Sequence, residues 1–311
     1  VTTSIWFWIA FHLGVFLALT VDLVSFKRRD RELSMRAAAQ RSLLWIALSL
    51  AFNLLVAHIK GAEHGLDFLT GYLIEYSLSV DNIFVFVLIF AYFRVSGRAQ
   101  HRVLVWGILG ALIMRGLMIL LGVTLVARFH FVLYIFGIFL VITAFRMFFA
   151  KHPQPDFGNS FVMRLCRKWI RVTPDFDGEN FTAKIDDRWM FTPLVLVLIV
   201  IDVMDLVLAV DSIPAVFAIT QDPFIVYTSN ICAILGLRSL YFLVANLIDR
   251  FIYLKTGLAI ILGFVGVKMI VADFFPLPNG LSLILIILVL AITITASMIA
   301  TKKRAVAENQ E

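Results

Sequence analysis

Nine apolar runs, at about 4–26, 42–59, 67–93, 103–127, 131–150, 190–219, 224–248, 254–273 and 281–301, are each long enough to cross the ~30 Å hydrocarbon core of a bilayer. In lipid, backbone polar groups must find partners within the chain, and apolar runs of this length do so as helices. The expected fold class is therefore all-α, a polytopic helical membrane protein with nine spans. Composition agrees. Of 311 residues 61% are hydrophobic and 15% charged, whereas a soluble domain is about half apolar and a quarter charged.

The charges left over are placed unevenly. Lys27, Arg28, Arg29, Arg31, Arg36 and Arg41 follow the first run; Arg94, Arg98 and Arg102 follow the third. Lys151, Arg164, Arg167, Lys168, Arg171, Lys184 and Arg188 follow the fifth, Arg250 and Lys255 the seventh, and Lys302, Lys303 and Arg304 the last. The alternate loops hold only Lys60 and Arg128. By the positive-inside rule this predicts an N-terminus outside and a C-terminus in the cytoplasm, the parity that nine spans require. A basic chain with a net charge of +6 could suggest nucleic acid, but charges confined to short loops are a topology signal, and no nucleic-acid partner is expected. No basic segment precedes the first run, so no cleavable signal peptide is expected. Cys166 and Cys232 give neither a disulfide framework nor a metal-thiolate spacing.

Two runs carry charge where water is scarce. "LIEYSLSVDNIFVF" (73–86) holds Glu75, Asp81 and Asn82, and "VIDVMDLVLAVDSIPAVF" (200–217) holds Asp202, Asp205, Asp211 and Ser212. Aligning them pairs Glu75 with Asp205, Asp81 with Asp211 and Asn82 with Ser212. Downstream, "GILGALIMRGL" (107–117) matches "NICAILGLRSL" (230–240), pairing Arg115 with Arg238, and "FRMF" (145–148) matches "VKMI" (267–270), pairing Arg146 with Lys268. Spans three to five and six to eight thus read as two copies of a three-helix unit. An odd number of spans separates their starts, so the copies are inverted, the plan of many secondary transporters. The expected organisation is two N-terminal helices and a basic loop (1–66), a first repeat (67–150), a cytoplasmic linker (151–189), a second repeat (190–273), and a last helix with a cytoplasmic tail (274–311).

A charged residue at a helix centre costs roughly 2.5–3.5 kcal/mol even on the lenient insertion scale, so Glu75, Asp81, Asp202, Asp205, Asp211, Arg115 and Arg238 need compensation. Arg115 and Arg238 suit fixed pairing with the acids. Arg146 and Lys268 stand nearer span ends and can snorkel. Acids outnumber the deep arginines, and buried negative charge in excess favours a bound cation. On a helix Glu75 and Asn82 share a face while Asp81 points ~120° away, and the second copy repeats this. Either the ligands are shared between copies or the helices unwind at V-D-[N/S]. Pro214 cannot donate to the Val210 carbonyl, which favours unwinding in the second copy and offers that carbonyl as an oxygen ligand. The length of the 190–219 run points the same way. Carboxylate, amide, hydroxyl and carbonyl oxygens suit Mg²⁺, Ca²⁺ or Mn²⁺ better than thiophilic metals. The histidines (12, 58, 64, 101, 130, 152) are scattered, and Glu63–His64 reads as a solvated loop. "DFDGEN" (175–180) lacks the ligand spacing of a calcium loop, whereas "FTAKIDDRWMF" alternates as a short hairpin. Neither a Walker loop, a dinucleotide fingerprint nor paired haem histidines are present, so no organic cofactor and no enzymatic activity are expected.

At "EYSLSVDNIFVF" and "DLVLAVDSIPAVFAITQDPFIVYTSNICAILGLRSLYFL" the chain resembles the TerC family of integral membrane proteins, nearest its Alx branch. "FLTGYLIE" (68–75), "YIFGIFLVITAFRMF" and "GLAIILGFVGVKMIVADF" carry the same resemblance, which runs from about Leu17 to Asp273. It implies an inner-membrane exporter of manganese(II), grouped with LysE-type exporters, whose acidic motif positions map to Glu75, Asp81, Asn82, Asp205, Asp211 and Ser212. Many relatives carry Glu where this chain has Asp202, a shorter ligand. The family is named for tellurite resistance, yet tellurite is an anion and fits a surplus of acids poorly, so that phenotype reads as indirect. The expected substrate is a metal cation moved by alternating access, possible coupling being to protons. In that reading Asp81 and Asp211 are central ligands, Asn82, Ser212 and the Val210 carbonyl supporting oxygens, Glu75, Asp202 and Asp205 further acids, and Arg115 and Arg238 charge-balancing groups. Membrane lipid is the other partner. The alternatives are an exporter of another cation such as calcium, and a membrane scaffold docking cytoplasmic partners through its basic loops.

Overall fold

The computed structural model describes residues 4–27, 35–129, 131–149, 171–185, 188–245, 253–275 and 277–308. They form helices α1 (Ile5–Lys27), α2 (Met35–Lys60), α3 (Ala62–Tyr92), α4 (Gly97–Arg128) and α5 (Phe131–Phe149), then strands β1 (Thr182–Ile185) and β2 (Arg188–Phe191). Helices α6 (Pro193–Phe217), α7 (Pro223–Leu235), α8 (Leu237–Ala245), α9 (Leu254–Val271) and α10 (Asn279–Glu308) complete the chain. The basic residues at 28–34, the linker at 150–170 with Cys166, and residues 186–187 and 246–252 lie outside the described residues.

The fold is all-α and spans the membrane several times. Each expected apolar run falls on a helix, and seven helices (α2–α6, α9 and α10) are long and apolar enough to cross a bilayer. The pair α7 and α8, bent by 45°, makes an eighth if taken as one span, while the apolar part of α1, Ile5–Val21, is shorter. Among the described residues, length and composition thus support seven or eight of the nine expected spans. Apolar side chains cover the outside: Ile113, Leu117 and Leu121 on α4 and Ile284, Leu288 and Ile292 on α10 are all exposed. A soluble monomer rarely shows so continuous an apolar perimeter, and hydrocarbon chains are its natural solvent. Charged residues lie inside, among them Glu75, Arg115, Asp205 and Arg238.

Helix α3 is central, packing against α2, α6, α7, α8 and α10. It starts after a one-residue turn at Gly61, whose φ of 104° favours glycine. Helix α4 packs on α6 and α7, and α5 lies along α9. That last pair meets backbone to backbone. A Cβ on Gly137 would stand 2.9 Å from the Gly266 carbonyl oxygen, and one on Gly266 2.8 Å from the Gly137 oxygen. Small residues at such crossings let helices gain close van der Waals contact that lipid cannot outcompete.

Two expectations about helix breaks are corrected. Both V-D-[N/S] segments are continuous helix, and α6 runs unbroken through Pro214. Pro214 lies in the last turn of α6, where one absent N–H donor leaves the rest of the ladder intact; its own carbonyl accepts from Ala218, 3.1 Å. Val210 therefore sits in regular helix, its carbonyl lacking the donor that Pro214 cannot supply. The extra length of the 190–219 run is taken up by the end of β2 and the turn after α6. The break falls instead at Gly236, between α7 and α8, where Trp45 of α2 packs so close that a Cβ would meet its side chain at 3.3 Å.

The expected hairpin is present, with Thr182 opposite Phe191 and Lys184 opposite Trp189. "DFDGEN" forms a turn closed by Asn180 N–H donating to the Asp177 carbonyl, 2.9 Å.

Replacing Gly137 or Gly266 by valine drives methyl groups into backbone. A loss of about 1–3 kcal/mol is expected, read as a lowered melting temperature in detergent for either variant.

A candidate cation site around a buried guanidinium

Arg115 reaches the site from the middle of α4 and is 1% exposed. Its Nε and Nη2 donate to Oδ2 and Oδ1 of Asp205 on α6, both at 3.1 Å, a fork on a carboxylate. Its Nη1 forms an ion pair with Glu75 of α3 and faces the Asn230 Oδ1 of α7 at 3.3 Å and Ser212 Oγ at 3.5 Å. Asn230 closes the ring by donating Nδ2 to Glu75 Oε2, 2.8 Å. Glu75 and Asn230 are fully buried, Asp205 and Ser212 nearly so. The two acids that the sequence alignment pairs are thus held by one guanidinium. Two carboxylates against one cation leave the ring anionic.

Asp202, one turn before Asp205, lies beside this ring. Its Oδ1 is buried and has no hydrogen-bond partner among the described residues. The carboxylate rests on α4 at two glycines. A Cβ on Gly107 would meet Oδ1 at 3.4 Å, and one on Gly110 would meet Oδ2 at 2.9 Å. Between these groups is a cavity of about 10 Å³, roughly one water molecule in size. Asp202 and Asp205 provide its acids, Gly107, Ala111 and Ile108 its α4 wall, and Phe86, Ile201, Leu104 and Leu237 the apolar remainder.

The other expected ligands do not join this group. Helix periodicity turns Asp211 away from Ser212, and Asp211 instead accepts from Thr143 Oγ1 on α5, 3.1 Å. Asn82 is buried on α3. Asp81 belongs to α3, but its side chain lies outside the described residues. Arg238 is buried at the start of α8, just past the Gly236 bend. Among the described residues no three His, Cys, Asp or Glu side chains gather as a ligand set.

Sequence reasoning passed over Asn230, although an amide inside an apolar helix is itself a signal. It also passed over a second polar layer nearer one end of α3. There Lys268 donates to Asn279 Oδ1, 2.7 Å, and Asn279 Nδ2 donates to Asp67 Oδ1, 2.6 Å, and to the Ile219 carbonyl, 3.0 Å. Lys268 is 5% exposed, so it does not snorkel, whereas Arg146 is exposed. Lys60, also unassigned, pairs with Asp222 at 2.6 Å.

The fold and this centre define a polytopic helical membrane protein with an ionic core. Residues 60–305 match the profile of the integral membrane protein TerC family, and the chain belongs to that family. Over 295 residues it is 46% identical to the membrane protein STKORF319 of Myxococcus xanthus, covering 95% of this chain and 92% of that protein. It is 44% identical over 296 residues to a Salmonella typhi protein named Alx, a candidate membrane-bound redox modulator, covering 92% of each. A Rickettsia felis membrane protein is 40% identical over 292 residues, covering 94% of this chain and 97% of that one. No solved structure matches the chain.

Removing one member of a buried ion pair typically costs about 3–5 kcal/mol, because the remaining charge is stranded. Arg115→Gln is expected to lower the melting temperature sharply. Adding Glu75→Gln and Asp205→Asn to it should recover most of that loss, since no buried charge is then left unpaired. Thermal unfolding of the single and triple variants in detergent checks both.

Proposed function

We propose that this protein is a transporter that exports a divalent metal cation, manganese(II) being the proposed substrate, by alternating access. The observation that carries the reading is the surplus of buried carboxylate: Asp205 and the unpartnered Asp202 oxygen border one small cavity, with a single guanidinium already engaged by Asp205 and Glu75. The cargo enters as substrate between Asp202 and Asp205, where oxygen donors suit a hard cation. Its charge beside Asp205 competes with Arg115 for the same carboxylate. When the cation leaves, Arg115 returns to neutralise the acids. Glu75, Ser212 and Asn230 hold the guanidinium, and Asp211 and Asn82 lie along the path as further oxygen groups rather than as members of one ligand set.

The packing of α3 on α7, of α6 on α4 and of α5 on α9 supports an inverted pair of three-helix units. The grouping with LysE-type exporters, the inner-membrane location and the outside N-terminus belong to the same proposal, supported by the charge placement along the sequence. The choice of manganese over calcium or magnesium rests on the family resemblance. A redox role, as the Alx name suggests for that relative, finds no reactive thiol at Cys232, which is free, buried and among apolar neighbours. Metal balance is an indirect route to redox and tellurite phenotypes.

In proteoliposomes, Asp202→Asn is expected to reduce Mn²⁺ flux by about tenfold or more, the scale of losing one charged ligand. Asp205→Asn and Glu75→Gln should do the same, and excess Ca²⁺ and Mg²⁺ should reveal the ion preference by competition. Unchanged Mn²⁺ flux in Asp202→Asn would show that this cavity does not carry the cargo.

A further inference from the structure

The alignment that pairs Arg115 with Arg238 also pairs Gly107 with Asn230, each eight positions earlier. Asn230 on α7 reaches across to Glu75 of α3 and occupies Glu75 Oε2 with its amide, 2.8 Å. Gly107 on α4 faces α6, where it lines the cavity with Asp202 and Asp205. One half of the bundle therefore supplies an internal amide donor to its acid. The other half has no side chain at the matching place, and there an Asp202 oxygen is left without a partner. The cavity, about one water molecule in size, lies on the side where Gly107 brings no side chain.

From this we infer that Gly107 is the residue that reserves a site for a cargo cation on the α4–α6 side. The inference rests on the transport reading and adds its location and its determinant. Glycine acts here by what it leaves out. The space above it is too small for a hydrated ion and fits a cation that has shed water on that side, with carboxylates of Asp202 and Asp205 replacing it. A donor side chain at 107 would satisfy the Asp202 oxygen from within, as Asn230 does for Glu75, and a satisfied carboxylate has less to gain from a cation. Alanine differs: its methyl would meet Asp202 Oδ1 at 3.4 Å, ordinary contact, and donates nothing.

Purified protein in detergent is titrated with Mn²⁺, bound and free ion being separated by the electron paramagnetic resonance signal of the free ion. Gly107→Asn is expected to bind Mn²⁺ about tenfold to a hundredfold more weakly than the unaltered protein, with Gly107→Ala falling between them. Without metal, Gly107→Ser, whose hydroxyl is close in size to the one-water space, should melt at a higher temperature than Gly107→Ala, and added Mn²⁺ should raise the melting temperature of either donor variant less than that of the unaltered protein. If the asparagine variant does not fold, Gly107→Ser, a shorter donor, is judged by the same comparison with Gly107→Ala. Binding by the donor variant as tight as by the unaltered protein overturns the inference. Failure of the unaltered protein to bind Mn²⁺, Ca²⁺ or Mg²⁺ at all would instead overturn the transport reading beneath it.

Discussion

A guanidinium cannot be buried in an apolar bundle without fixing where its partners stand. Arg115 draws Asp205 from α6, Glu75 from α3 and Asn230 from α7, so four helices must meet at one depth. Apolar packing alone leaves helices in lipid free to slide, because hydrocarbon tails compete for every contact. An ion-pair ring does not slide, since any displacement strands a charge where water cannot reach it. The close backbone contact of α5 with α9 holds that pair of helices by the opposite means, shape without charge.

What was legible in the sequence followed from local periodicity. Hydropathy gave the helices, and the seven-residue spacing placed Glu75 with Asn82, and Asp205 with Ser212, on buried faces. The alternation around residues 182–191 gave the hairpin. What escaped depends on neighbours distant in sequence. Pro214 reads as a break, but its place in the last turn of α6 limits the loss to one donor. Gly236 reads as an ordinary small residue, but Trp45 of α2 packs on it and the helix turns there. Lys268 stands near a span end, where snorkelling is the default, yet Asn279 at the start of α10 offers it an oxygen inside.

The candidate site shows the same division. That buried acids would meet Arg115 was readable from charge counting. That a single arginine would take both Glu75 and Asp205 was not, because it requires knowing that Arg115 of α4 reaches the place where α3 and α6 meet. Adjacent motif residues also serve different surfaces. On an unbroken helix Asp211 and Ser212 point ~100° apart, so Ser212 joins the guanidinium ring while Asp211 meets Thr143 of α5. In the second copy the motif thus addresses two neighbours at one level.

The two polar layers along α3 differ in a way that bears on where a cation can act. Asp67 and Glu75 are eight residues apart, about 12 Å along the helix axis. At the Asp67 level one ammonium faces one carboxylate through the Asn279 amide, whose oxygen and nitrogen are both engaged. That layer is balanced and has nothing to offer an ion. At the Glu75 level two carboxylates share one guanidinium, and Asp202 stands alongside with an oxygen unclaimed. The surplus of negative charge is therefore not spread through the bundle among these groups. It is concentrated beside Asp205, at a wall of the ring where Gly107 and Gly110 bring no side chain between α4 and the Asp202 carboxylate.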